Sequence, residues 1–217
     1  MPQAMTFNSL RDDVRNYLER GASVATDPIV YEQIPKLINF AERRIARDIK
    51  IQGFQTVVTA TMQTGVAVMP KPDRWRETIS MNIGSGTGSV NRQLLFTRSY
   101  EYCRTYWPND EITAQPLFYA DYDYQHWIFA PTPDNAYPIE IMYYELPQLL
   151  DETTQQNWLT NFAPNALLYG TLLEATPFLK NDDRIPVWLN FYQMAVESLN
   201  SEDIKKIIDR STTRQEA

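Results

Sequence analysis

The run Tyr137-Pro-Ile-Glu-Ile-Met-Tyr-Tyr-Glu-Leu146 alternates, with Ile139, Ile141 and Tyr143 on one side and Glu140 and Met142 on the other. Successive side chains of a strand point to opposite faces, so this period of two predicts a strand with one buried face. Upstream, Phe54-Gln-Thr-Val-Val-Thr-Ala-Thr-Met62, Thr78-Ile-Ser-Met-Asn-Ile83, Leu117-Phe-Tyr119 and Trp127-Ile-Phe129 are further β-prone runs, separated by Pro, Gly and Asn-Asp pairs. The middle of the chain therefore reads as a small antiparallel sandwich or barrel. Within it, Ser99-Tyr-Glu-Tyr-Cys-Arg-Thr-Tyr-Trp107 reads as a short helix ended by Pro108.

On both sides of this stretch the period changes to that of a helix. Thr6 is placed to cap a helix whose Leu10, Val14, Tyr17 and Leu18 share a face, with Gly21 as its end. Ile34, Leu37, Ile38, Ala41, Ile45 and Ile49 continue helical spacing after Asp27-Pro28, and Gly53 closes that pattern. Pro35 is expected in or near the first turn of this helix, because further inside it removes a hydrogen bond and clashes with the preceding turn. Arg43, Arg44, Arg47 and Lys50 fall in its second half, where cations interact favourably with the helix carboxyl end.

Downstream, Leu167, Leu168, Leu172, Ala175 and Leu179 recur at helical spacing, with Pro164 as a first-turn residue. A last helix from about Ile185 carries Trp188, Tyr192, Ala195, Val196 and Leu199 and continues through Ile204, Ile207 and Ile208. The fold class is thus α+β. Residues 1–53 and 147–209 form a helical bundle, residues 54–146 an inserted β-rich subdomain, and residues 210–217 a polar, flexible tail whose ordering nothing in its composition offsets.

The 217 residues suffice to bury a core without disulfides or metals. A net charge of −7 excludes a broad basic face that neutralises DNA phosphates, but suits a wall past which DNA slides without sticking. The single cysteine, Cys103, excludes an internal disulfide framework and points to a reducing site of synthesis. No run approaches the roughly 20 continuous apolar residues of a membrane span, and the start Met1-Pro2-Gln3-Ala4 lacks the basic and apolar regions of a signal peptide. Synthesis in the cytoplasm without membrane association is expected.

Candidate chemistry is sparse, and no catalytic, cofactor or metal site is expected. Gly84-Ser-Gly-Thr-Gly-Ser89 lacks the Gly-Lys-Ser/Thr ending of a phosphate loop and reads as a hairpin loop. His126 is the only histidine, so a metal triad lacks its second member, and pairing with Cys103 as nucleophile has no orienting group. Asp121 and Asp123, alternating with tyrosines, read as a solvated turn rather than an acid/base pair. Arg92, Arg98 and Arg104 among Tyr100, Tyr102, Tyr106 and Trp107 resemble a stacking platform for single-stranded nucleic acid, but Glu101, Asp110 and Glu111 oppose it. Tyr, Trp and Arg are also the residues that dominate protein interfaces, the reading preferred here. A carbohydrate- or nucleic-acid-binding β module on a helical stalk is the alternative from another class.

Several short motifs occur in a joint order that resembles the head-to-tail adaptor (head-completion or connector) proteins of short-tailed and related bacteriophages. They are Ile34-Pro35-Lys-Leu-Ile38 with Ala41-Glu42-Arg43-Arg44-Ile45-Ala-Arg47-Asp48, Trp127-Ile-Phe-Ala-Pro131-Thr-Pro133, Tyr143-Tyr144 with Leu149, Asn157-Trp158-Leu159, and Pro164-Asn-Ala-Leu-Leu-Tyr-Gly-Thr-Leu-Leu-Glu174-Ala175. The resemblance implies a non-enzymatic virion protein at the head-tail interface. It implies a homo-oligomeric, typically dodecameric ring between the portal protein and the tail nozzle that extends the channel for passing double-stranded DNA. It further implies docking of the carboxyl-terminal segment on the portal, which here places Ile204, Lys205, Ile208, Arg210 and Arg214 against that partner and predicts disorder from about Ser201 before assembly. Tyr100, Tyr106, Trp107, Tyr119, Tyr122 and Tyr124 are then the candidates for contact with the nozzle, tail fibres or neighbouring copies.

Overall fold

A computed structural model of the chain describes residues 4–19, 28–84, 91–178 and 183–213, with side chains described at 4–19, 30–84, 91–178 and 183–202. The chain divides into two compact units, Met1–Phe54 with Leu146–Ala217, and Gln55–Glu145. Helices lie at both ends and strands between them, an α+β fold.

The helical unit contains α1 (Phe7–Leu18), α2 (Pro28–Asp48), α4 (Trp158–Phe162), α5 (Pro164–Glu174) and α6 (Ile185–Thr213); α3 belongs to the other unit. Thr6 caps α1 reciprocally: its Oγ1 accepts the Ser9 N–H at 3.1 Å, and Ser9 Oγ accepts the Thr6 N–H at 2.8 Å. The helix ends at Leu18 with Glu19 in the left-handed region, while Gly21 lies outside the described residues. α5 is apolar on every side, burying Leu167, Leu168, Leu172 and Leu173, because it is the central helix against which α1, α2, α4 and α6 pack. Gly170 lets α2 and α6 approach it, since a Cβ there would lie 3.3 Å from Tyr192 and 3.5 Å from the Ala41 Cβ.

Three details of the helices differ from the sequence reading. Pro35 is eight residues into α2, not in its first turn, because the helix starts at Pro28. The lost hydrogen bond and ring clash are offset by burying Ile34, Leu37 and Ile38 around it. α2 stops at Asp48, and Gly53 sits instead in a 3₁₀ turn (Gln52–Phe54), where the Trp158 indole leaves no room for a side chain. The α6 backbone is helical through Thr213, beyond the boundary at 209 read from the sequence.

The β unit has strands β1 (Gln55–Thr61), β2 (Val68–Pro70), β3 (Trp75–Ile83), β4 (Gln93–Leu94), β5 (Phe96–Thr97), β6 (Thr113–Ala114), β7 (Phe118–Asp121), β8 (His126–Ala130), β9 (Thr132–Pro133) and β10 (Pro138–Glu145), with α3 (Tyr100–Tyr106) between β5 and β6. One sheet runs β1-β10-β3-β4, antiparallel throughout; the second runs β2-β8-β7-β5. The alternation in β10 acts as expected: Ile139, Ile141 and Tyr143 point inward and meet Met81 and Ile83 of β3, with Tyr119, Trp127 and Phe129 of the second sheet in the same core. The two sheets thus form a sandwich. It is not wholly antiparallel, because β5 pairs with β7, and β6 with β9, in parallel. Both pairs span two residues and return through longer connections, which a hairpin reading of turn residues does not anticipate.

β8 is buried on both faces, with Trp127 and Phe129 in the sandwich and Ile128 and Ala130 beneath α3 beside Cys103. A strand covered on both sides is apolar at consecutive positions, and Trp127-Ile-Phe-Ala130 is such a run.

Candidate interaction surfaces

Ser99 caps α3 by accepting the Tyr102 N–H at 3.2 Å, which fixes the helix across the outer face of the second sheet. Cys103 then points inward and is 1 % exposed, and burial pushes its thiol pKa up, so it is a core residue. The other side of α3 carries rings. Tyr102 lies 4.6 Å from Tyr106 and 5.7 Å from Phe118, and Trp107 lies 5.4 Å from Phe118. Tyr100 meets Tyr122 edge-on at 5.8 Å. Contacts of this kind keep large apolar side chains ordered at the surface.

The arginines of this region are engaged. Arg98 lies over the Tyr102 and Phe118 rings at 5.5 and 5.4 Å, Arg104 pairs with Asp110 at 2.6 Å, and Arg92 pairs with Glu140 at 3.0 Å. A groove that tracks phosphates needs cations facing the ligand. Carboxylates already neutralise two of these three.

Tyr124 belongs to a second cluster. Lys71 Nζ lies 3.7 Å above the Trp75 ring, donates to Asp121 Oδ1 at 2.6 Å and to the Asp123 carbonyl at 3.0 Å, and its side chain is 3 % exposed. Trp75 meets Tyr124 edge-on at 6.3 Å, and the cleft they wall, about 350 Å³, also touches Arg74 and His126. His126 Nδ1 lies 2.9 Å from both carboxylate oxygens of Asp123, and this bond holds the Asp123 pKa below its usual value. The two carboxylates thus have separate partners, Lys71 for Asp121 and His126 for Asp123. His126 is held by Asp123 rather than by Cys103, and among the described residues no three His, Cys, Asp or Glu are grouped to hold a metal ion.

Of the six aromatic candidates, Tyr106 and Trp107 join through Tyr102, Tyr100 joins Tyr122, and Tyr124 joins Trp75. Tyr119 is a correction. It is 7 % exposed in the sandwich core, because β7 turns that side of the strand toward β10, and it offers no surface to a partner. Sequence reasoning missed Phe96, Phe118, Trp75 and Lys71. The first two lie on strands of two to four residues, too short for a period, and Lys71 acquires its role only by meeting Asp121, 50 residues on. Ile204, Lys205, Ile208 and Arg210 lie on the α6 backbone but their side chains, like all of Arg214, fall outside the described residues.

The helical unit is tied by a buried carboxylate. Glu42 accepts the Leu150 N–H at 3.1 Å and the Asn157 Nδ2–H at 2.5 Å, and Asn157 also donates to the Gln148 carbonyl at 2.9 Å. Burial raises the Glu42 pKa to about 7 against the opposing pull of these bonds. Asn157 also caps α4 by accepting the Leu159 and Thr160 N–H groups at 3.0 and 3.2 Å, so one residue joins α2, the connection and α4. Both residues lie in the motifs that carry the sequence resemblance.

Among the described residues no helix is long and apolar enough to cross a membrane. No curated protein matches the chain. A family model described as SU10 adaptor protein matches residues 5–215, from the cap of α1 to the end of α6, and the chain belongs to that family of phage head-to-tail adaptors.

Proposed function

We propose that the protein assembles as a ring, of dodecameric order, between the portal and the tail nozzle, extends the DNA channel and docks on the portal through its carboxyl-terminal segment. The observation that carries this reading is the family match across residues 5–215, which covers both the helical unit and the β unit. As a phage head-to-tail adaptor the protein is a structural component of the virion. Its net charge of −7 suits a passage for double-stranded DNA, since like charge prevents the polymer from adhering to the wall.

The carboxyl-terminal end of α6 is the portal-facing element in this reading, with Ile204, Lys205, Ile208, Arg210 and Arg214 as contact residues. The ring clusters around α3 and Tyr124 are the surfaces for nozzle or fibre proteins. They supply rigid aromatic area at low entropic cost, which is how interface anchors work. No step of this assembly calls for a catalytic group.

Co-sedimentation with the cognate portal ring, using the full chain and one truncated after Asn200, followed by particle imaging, tests the proposal. A ring of the protein on one portal face, lost on truncation, is expected. Absence of binding by the full chain would reject the adaptor ring, and equal binding by both chains would reject the role of the carboxyl-terminal segment.

A further inference from the structure

The sandwich is closed along one side and open along the other. On the closed side residues 93–98 pass from the first sheet to the second, where the Leu95 N–H donates to the Met81 carbonyl and the Phe96 N–H to the Leu117 carbonyl. On the open side β1 is the last strand of one sheet and β2 the last strand of the other. Between them lies an apolar hollow of about 290 Å³, lined by Ala60, Met62, Val66, Val68, Met69 and Phe129. Val58, Ala60 and Met69 pack against the core yet stay only partly buried, because among the described residues no further strand covers them from this side.

β1 also presents an unguarded backbone edge. The Met62 N–H donates to the Tyr137 carbonyl at 2.9 Å, while the carbonyl of Pro138, the partner of Thr61, accepts from Gly84 on the side away from β1. Alternate residues of an antiparallel strand bond to the neighbour and point away from it, so Val57, Thr59 and Thr61 turn their N–H and C=O groups outward. Exposed edges are ordinarily protected by shortness, proline, charge or bulges. The other edges of the two sheets carry such devices. β2 spans three residues and ends in Pro70, β4 and β5 span two each, and β3, beyond the reach of β4, shifts register twice against β10 and carries Arg76 and Glu77. β1, Gln55-Thr-Val-Val-Thr-Ala-Thr61, runs seven residues with no charge, proline, glycine or register shift.

We infer that an extended segment of the nozzle protein adds to β1 as a further strand and lays an apolar side chain in the hollow. A row of outward N–H and C=O groups is satisfied by an extended polypeptide, and an uncharged edge beside an uncharged hollow selects a segment with apolar residues at alternate positions. The described residues of this chain supply no second unguarded edge apart from β1 itself. Pairing of β1 with β1 of another copy is a two-fold contact, absent from a ring whose copies all face one way. The donor is therefore a different protein, a choice that rests on the ring reading above. Pro70 borders both the hollow and the Tyr124 cleft, so the added strand lies beside the surface assigned to the nozzle.

Hydrogen exchange of the peptide covering residues 55–62 tests this, read by mass spectrometry in the full-length chain alone, on its cognate portal ring, and with purified nozzle protein added to each. The Val57, Thr59 and Thr61 amides are expected to exchange fast until nozzle protein is present and then to slow at least about tenfold. Thr59→Pro removes an outward donor and leaves the β1–β10 ladder whole, and Val57→Lys guards the edge with charge. Both variants are expected to keep the melting temperature and to weaken nozzle binding at least about tenfold. Amides that stay fast in every mixture, or wild-type nozzle binding by both variants, would overturn the strand addition. Slowing on the portal alone, or slowing that follows the concentration of the free chain, would overturn the nozzle as donor in favour of the portal or a second copy. Failure to load on the portal, with nozzle protein still slowing these amides in the free chain, would reject the ring and uphold the added strand.

Discussion

Lys71 holds its Nζ 3.7 Å above the centre of the Trp75 ring while bonding Asp121 at 2.6 Å. One cation thereby ties the turn before β3 to the end of β7. A desolvated cation over an indole contributes about 2 kcal/mol, and Asp121 is exposed enough to be rehydrated when its partner is lost. Lys71→Met is expected to lower the stability of the β unit by about 1–2 kcal/mol. Urea denaturation followed by tryptophan fluorescence measures it, and an unchanged midpoint would show the contact to be energetically neutral.

Glu42 makes stability depend on pH in the sense opposite to an ordinary salt-bridged carboxylate. Its folded pKa of about 7 lies above the ordinary 4.5, so between these values the folded chain holds a proton that the unfolded chain releases. Unfolding therefore becomes easier as pH rises. The contribution is fully present below about pH 4.5 and is lost by about pH 7 and above, a change on the order of 2–3 kcal/mol. Denaturation curves from pH 5 to 8 should show this decline, and Glu42→Gln should flatten it.

Gly53 owes its identity to Trp158. The indole occupies the position of a Cβ, so Gly53→Ala forces the ring or the 3₁₀ turn to move, at a cost of about 1–3 kcal/mol. Trp158→Phe opens space at the same place. The double variant should then be less destabilised than the sum of the two single changes, and strict additivity in a double-mutant cycle would remove the contact as the cause.

The order of elements was legible because long apolar periods report on burial. Ile139, Ile141 and Tyr143 turned inward, and α1, α5 and α6 began where Thr6, Pro164 and Ile185 signalled. What escaped depends on distant partners. Pro35 is tolerated inside α2 through tertiary packing, Gly53 answers to Trp158 rather than to a helix end, and the two-residue strands β4, β5, β6 and β9 have no period to read. The aromatic candidates show the same limit. Alternation in Phe118-Tyr-Ala-Asp121 gives two faces, but which face meets β10 is decided by sheet packing, and Tyr119 fell on the inside.

That division between inner and outer tyrosines gives opposite outcomes for one type of substitution. Tyr119→Ala removes a ring from the sandwich core and is expected to cost about 3–5 kcal/mol, enough to unfold the β unit at moderate temperature. Tyr106→Ala and Tyr124→Ala remove rings that are 64 % and 79 % exposed, so stability should change by no more than about 0.5–1 kcal/mol. If these rings anchor nozzle or fibre proteins, the exposed variants should load onto the portal normally yet recruit less of the tail, since an anchor residue is worth about 2 kcal/mol or more at an interface. Thermal melting separates the two classes, and pull-down of tail proteins by portal-bound adaptor reads the second effect. Full tail recruitment by the Tyr106→Ala/Tyr124→Ala double variant would show that the aromatic clusters stabilise the β unit's surface and take no part in docking.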